Sequence, residues 1–97
     1  MSSELATVEI LRANGTKEEH QVAKHILLDW CRRMIGAETI DTVNLRDGRV
    51  MLVDDIGHQR GLPSNVSATN LYHEVCLPGT THQIVGDAAI CWDEDFA

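Results

Sequence analysis

Rings are scarce in this chain: among 97 residues only Trp30, Tyr72, Trp92 and Phe96 are aromatic. Any core must therefore rest on Ile, Leu, Val, Met and Ala. Cations are also few, with eight Lys and Arg against fifteen Asp and Glu and a formal charge of −7. Direct nucleic-acid binding is disfavoured, because it needs basic side chains to displace counterions from phosphates. The same balance suits a well-solvated protein, or one that meets a basic partner. No apolar run approaches the roughly 18 residues that a membrane span requires, and no signal-type apolar segment precedes the first strand. Cys31, Cys76 and Cys91 form no Cys-x-x-Cys pair and are odd in number, which predicts free thiols in a reducing cytoplasm. Gly-x-Ser-x-Gly, a phosphate-cradling glycine loop and His-Glu-x-x-His are all missing.

What is present reads as one domain over residues 1–97 with loose ends at 1–4 and 93–97. From Leu5 to Arg12, Ala6, Val8 and Ile10 alternate with Thr7 and Glu9, the period of a half-buried strand. Asn14-Gly15 turns the chain. Thr16 then caps an expected helix over 17–35 of about five turns, with Val22, Ile26, Trp30 and Met34 as its apolar stripe. Burying such a stripe contributes roughly 1.5–3 kcal/mol per large side chain before entropy is subtracted.

Asp47-Gly48 joins Thr39–Arg46 to Arg49–Asp55 as a hairpin. The expected register sets Leu45 opposite Val50, Val43 opposite Leu52 and Asp41 opposite Asp54. Two carboxylates facing one another across a ladder are unfavourable, which predicts splayed strands or a cation between them. A second helix, capped by Asn65 or Ser67, carries Ala68, Leu71, Tyr72 and Val75 on one face and stops at Pro78-Gly79. Gln83 to Trp92 reads as the last strand. The fold class is thus α+β in the order β-α-β-β-α-β, with a small mixed or antiparallel sheet, two layers, and both helices on one face. So small a sheet leaves an edge or face for a homo-oligomer.

The polar run from Asp54 to Val75 is where chemistry is expected. Asp54, Asp55, His58 and His73 are metal-ligand types, but the adjacent aspartates point to opposite faces of a strand, and no metal site is expected. His73 and Cys76 share a helix face and suit nucleophilic attack, though nothing supplies an orienting group or oxyanion donors. Neither an enzyme nor a cofactor is therefore expected; a small hydrolase or metal-dependent enzyme is the least favoured alternative. Binding remains: Arg60 offers a planar fork for an anion, the helix after Asn65 presents free N–H groups, and Tyr72 can stack. The same residues also suit purely structural roles, Asn65 as a cap and Arg60 as a partner for Asp54 or Asp55. His58, Arg60, Asn65, Thr69 and Tyr72 form the expected ligand site, for a nucleotide-like anion. A host protein blocked by the acidic surface (Glu18, Glu19, Asp93, Glu94 and Asp95) is the other expected partner.

Gly61 to Tyr72 reads G-L-P-S-N-V-S-A-T-N-L-Y, after the D-G-R-V-M-L-V-D-D-I-G hairpin and before I-V-G-D-A-A-I. Over about residues 39–90 this pattern resembles a small domain family of phages and their bacterial hosts, a domain of unknown function. The resemblance implies a mobile-element protein in a bacterial cytoplasm, and the role expected of such an accessory protein is counter-defence by binding. It implies motif positions at Gly61, Pro63, Asn65, Ala68, Leu71, Gly86 and Asp87, and no activity.

Overall fold

The computed structural model describes residues 4–96. Strand β1 (Leu5–Leu11) runs into β2 (Lys17–Ala23), and a 3-10 turn at Lys24–Ile26 leads to helix α1 (Leu27–Met34). Strands β3 (Ile40–Asn44) and β4 (Arg49–Asp54) form a hairpin, α2 spans Val66–Glu74, and β5 (Ala88–Trp92) ends in a 3-10 turn at Asp93–Phe96. Five strands make one antiparallel sheet in the order β2-β1-β5-β4-β3. The α+β class stands, while the order β-α-β-β-α-β is corrected, since Lys17–Ala23 is a strand and not the start of a helix.

The reason lies in which residues face inward. Val22 is buried, and Glu18 and His20 on the same side of β2 are half-buried, while Lys17, Glu19 and Gln21 are exposed. This is a period of two whose inner face is written in polar residues, so it does not look like a strand. Glu18 is held by the Arg12 guanidinium, and the His20 ring stands edge-on to Trp30 at 5.2 Å. The stripe of α1 is displaced accordingly. Leu27, Cys31 and Ile35 are buried, whereas Ile26 is 44% exposed. At its end Gly36 N–H bonds Arg33 O and Ala37 N–H bonds Arg32 O, the paired reverse bonds of a glycine-terminated helix.

Both hairpins use the same loop. Arg12 N–H reaches Thr16 O at 2.9 Å around Ala13-Asn14-Gly15, and Leu45 N–H reaches Arg49 O at 2.8 Å around Arg46-Asp47-Gly48. Gly15 and Gly48 take φ of 92° and 88°, a left-handed conformation that closes a three-residue loop and strains any other residue. The extra loop residue moves the second hairpin by one: Val43 pairs Met51, Asp41 pairs Val53 and Ile40 pairs Asp54. The expected Asp41–Asp54 opposition is therefore corrected, and a shift of one puts the two carboxylates on opposite faces of the sheet.

The helices are also on opposite faces, correcting the two-layer expectation. Val50, Leu52, Ala89 and Cys91 pack with Leu27, Cys31 and Ile35 of α1. The alternate residues Met51, Val53, Ala88 and Ile90 pack with Ala68, Leu71 and Tyr72 of α2. Covered on both sides, β4 and β5 become continuous apolar runs without alternation. Cys31 and Cys91 touch across the first core, Sγ to Sγ at 3.7 Å, and this contact together with burial pushes the Cys91 thiol up. Of the expected loose ends, residues 1–3 and 97 lie outside the described residues, while residues 93–96 form the 3-10 turn, tied to Lys24 through Asp95 at 3.4 Å. Among the described residues no helix is long and apolar enough to cross a membrane.

Candidate functional site

The run after β4 is held by its own first residue. The Asp54 side chain is 1% exposed, and its Oδ1 accepts from Ile56 N–H at 3.0 Å. Its Oδ2 pairs with the Arg60 guanidinium, which also donates to Gly36 O at 3.0 Å. Arg60 thus pins the turn after β4 to the end of α1, with Nη1 making both bonds. A buried carboxylate with a single cation is costly to orphan, which makes this pair a structural one.

Asn65 is fully buried. Its Oδ1 accepts from Ala68 N–H at 3.1 Å as the cap of α2, and its amide donates to Leu11 O at 2.8 Å and Gly86 O at 2.9 Å. One side chain therefore ties α2, β1 and the approach to β5 together, leaving no group free for a ligand. Thr69 Oγ1 accepts from Ile84 N–H at 2.9 Å and donates to Ile84 O at 3.3 Å. Pro63 O accepts from Gly86 N–H at 2.7 Å, and Asp87 takes Arg12 Nη1–H and Ala13 N–H at 2.9 and 2.8 Å. Arg12 also grips Glu18 with two bonds and donates to Met34 O. These contacts raise the Arg12 pKa, through Glu18 first, and lower that of Glu18 to about 2, through Arg12 first and then His20.

His58 and Tyr72 lie elsewhere, in a cleft of about 250 Å³ on the α2 face. Its floor is apolar, made by Val43, Val53, Ile84 and Val85, with Gln83 alongside. One wall is aromatic: the His58 and His82 rings are 4.8 Å apart, and Tyr72 stands edge-on to His82 at 5.7 Å. Asp41 and Asp55 complete the lining, with Asp54 beside them at the end of β4, its carboxylate turned toward Arg60 and the end of α1. The carboxylates of Asp41 and Asp55 have no ion pair among the described residues, while Asp54 is neutralised by Arg60. His58 Nε2–H donates to Gln83 O at 2.9 Å, a tautomer assigned from its acceptor-only partner, which leaves Nδ1 turned elsewhere. The Tyr72 phenol sits beside Cys76 and near Asp41, and those neighbours together with burial raise its pKa, so it stays protonated.

Of the five expected ligand residues, the fold brings His58 and Tyr72 to the cleft and engages Arg60, Asn65 and Thr69 in its own framework. Asp41, Asp55, His82 and Gln83 are the cleft residues that sequence reasoning did not place together. The other chemistry of the run is not assembled. His73 Nε2–H is held by His82 O at 2.7 Å, and no hydrogen bond joins that ring to Cys76 among the described residues. Nor do three or more His, Cys, Asp or Glu side chains gather there, among the described residues, to hold a metal.

Compared with protein-family models, with curated proteins and with solved structures, the chain matches none.

Proposed function

We propose that the chain is a non-enzymatic binding protein that offers this cleft to a flat group rich in hydrogen-bond donors. The observation that carries the reading is the pairing of two carboxylates lacking ion pairs, Asp41 and Asp55, with the rings of Tyr72, His58 and His82 over an apolar floor. Rings stack on a flat group, and carboxylates accept from an amino or amidinium edge. A volume of about 250 Å³ suits a group the size of a base or a guanidinium better than a whole nucleotide.

The nucleotide-like ligand is therefore retained by its ring end. Its anionic end loses support, because Arg60 is engaged by Asp54 and the cleft is acidic. In the setting implied by the phage resemblance, such a protein would sequester a host molecule in the bacterial cytoplasm as a counter-defence device. The protein-blocking reading gains from one feature: Asp41 and Val43 belong to an edge strand, so the group can arrive on another protein as an arginine or lysine.

Thermal-shift measurements with adenosine, its monophosphate and Nα-acetyl-arginine amide test this. Adenosine or the arginine amide should raise the melting temperature, and Asp55→Asn should remove the effect. A stronger effect from the monophosphate that depends on Arg60 would restore the anion site instead. No response to any of the three would sink the reading.

A further inference from the structure

The sheet has two edges, and they differ in kind. On β2 the residues turned away from β1 are Lys17, Glu19, Gln21 and Ala23, with Glu18 and His20 between them, so charge guards the edge against pairing. Strand β3 reads Ile40-Asp41-Thr42-Val43-Asn44, with one charge and three β-branched residues. Thr39 O accepts from Asp55 N–H and Leu45 N–H donates to Arg49 O, so the odd positions bond to β4 and the even ones face outward. The backbone groups of Ile40, Thr42 and Asn44 are thus the open row. One of its donors is covered, for the Asp41 carboxylate accepts from Thr42 N–H at 2.9 Å.

A cavity flanks this row on each face of the sheet. On the α2 face lies the acidic cleft of Asp41, Val43 and Tyr72. On the α1 face lies a mainly apolar groove of about 230 Å³, walled by Leu28 and Phe96 over Val50 and Leu52, with Thr42 and Asn44 at its rim. Leu28 is 53% and Phe96 37% exposed, large for side chains so close to a core. Side chains of an added strand alternate between the two faces and would enter the two cavities in turn.

We infer that β3 is a strand-addition site for an extended segment of another protein in which apolar and basic residues alternate. The apolar residues enter the Leu28–Phe96 groove, and the Lys or Arg residues enter the cleft at Asp41 and Asp55. This deepens, and rests on, the reading of the cleft as the binding site. Asp41 then acts as a charge-coded guard. With no cation present it caps the Thr42 amide; an arriving cation draws the carboxylate away and frees that amide for a partner carbonyl. A second copy of this chain is the poorer occupant, against the homo-oligomer expected from the small sheet. Strand β3 carries no Lys or Arg, so nothing on an incoming β3 lifts Asp41 from the amide.

The probe is a short acetylated peptide alternating leucine and arginine, followed by amide hydrogen exchange in the full chain. Exchange at Ile40, Thr42 and Asn44 should slow roughly tenfold at saturation, while Lys17, Glu19 and Gln21 are unaffected. N-methylation of the peptide's alternate amides, or Glu in place of Arg, should abolish the protection, and Asp41→Asn should weaken the preference for Arg over Gln peptides. If N-methylation changes nothing while Tyr72 and His82 still respond, the cleft reading survives and strand addition is overturned. Failure of both the peptide and Nα-acetyl-arginine amide overturns both. Protection that grows with chain concentration in the absence of peptide assigns the edge to a second copy and overturns the inference.

Discussion

Two polar regions of this fold, each gathered from distant parts of the chain, are in opposite states. Around Asn65, Asp87 and Arg12 every donor and acceptor described is matched: three bonds to the Asn65 amide, two to the Asp87 carboxylate, four from the Arg12 guanidinium. Around Asp41, Asp55, His58 and His82 the carboxylates lack ion pairs and the rings face a cavity. Polar residues of the same types thus do different work. A saturated cluster fixes the relative positions of helix and strands, and an unsaturated one retains capacity for something from outside. Arg60 shows how easily the two are confused. From the sequence it suits an anionic ligand as well as a pairing with Asp54 or Asp55, and in the fold it belongs to the saturated region through Asp54.

Substitutions can break or sharpen this contrast. The largest effect is expected at Asn65. Asn65→Leu strands Leu11 O, Gly86 O and Ala68 N–H in the interior, which should cost about 3 kcal/mol or more in denaturant unfolding. A loss under about 1 kcal/mol would show that the cluster is not saturated in solution. Next is Arg60→Ala, which leaves the Asp54 carboxylate buried without its cation; about 2 kcal/mol is expected, below the range for a fully buried pair because Arg60 is 40% exposed. Adding Asp54→Asn to that variant should recover part of the loss. If it recovers none, Arg60 stabilises the turn through Gly36 alone.

Smaller still is the acid response of Glu18. Its folded pKa is depressed to about 2, so its contribution is complete above the unfolded value of about 4.3 and is lost as pH falls through that window. Melting temperatures between these two values should fall less steeply in Glu18→Gln than in the parent. The smallest effects belong to the cleft, where Asp55→Asn and His82→Ala should change stability by no more than about 0.5 kcal/mol. A large loss in either variant would move the cleft into the saturated class.

The elements whose signals are local were readable in the chain. Asn65 does cap α2, and Ala68, Leu71 and Tyr72 do face the core. Both glycine turns are where the sequence puts them. The register at Gly48 was not readable, because Asp-Gly fits a two-residue loop as well as the three-residue loop that forms, and one residue decides which face every side chain takes. Strand β2 was hidden because its inner positions Glu18 and His20 are satisfied by Arg12 and Trp30, partners that only tertiary structure supplies. The cleft was readable by half. His58 and Tyr72 lie in the polar run from Asp54 to Val75, but Asp41 and His82 are brought in from either side of it by the hairpin and the segment before β5.

The claim on which the rest depends is that binding belongs to the unsaturated region. A nuclear magnetic resonance titration of the labelled chain with Nα-acetyl-arginine amide tests it most directly. Shifts confined to Asp41, Asp55, His58, Tyr72 and His82, with Arg60 and Asn65 unmoved, are the predicted result. Shifts centred on Arg60 and the first turn of α2, or none at saturating concentration, would contradict it.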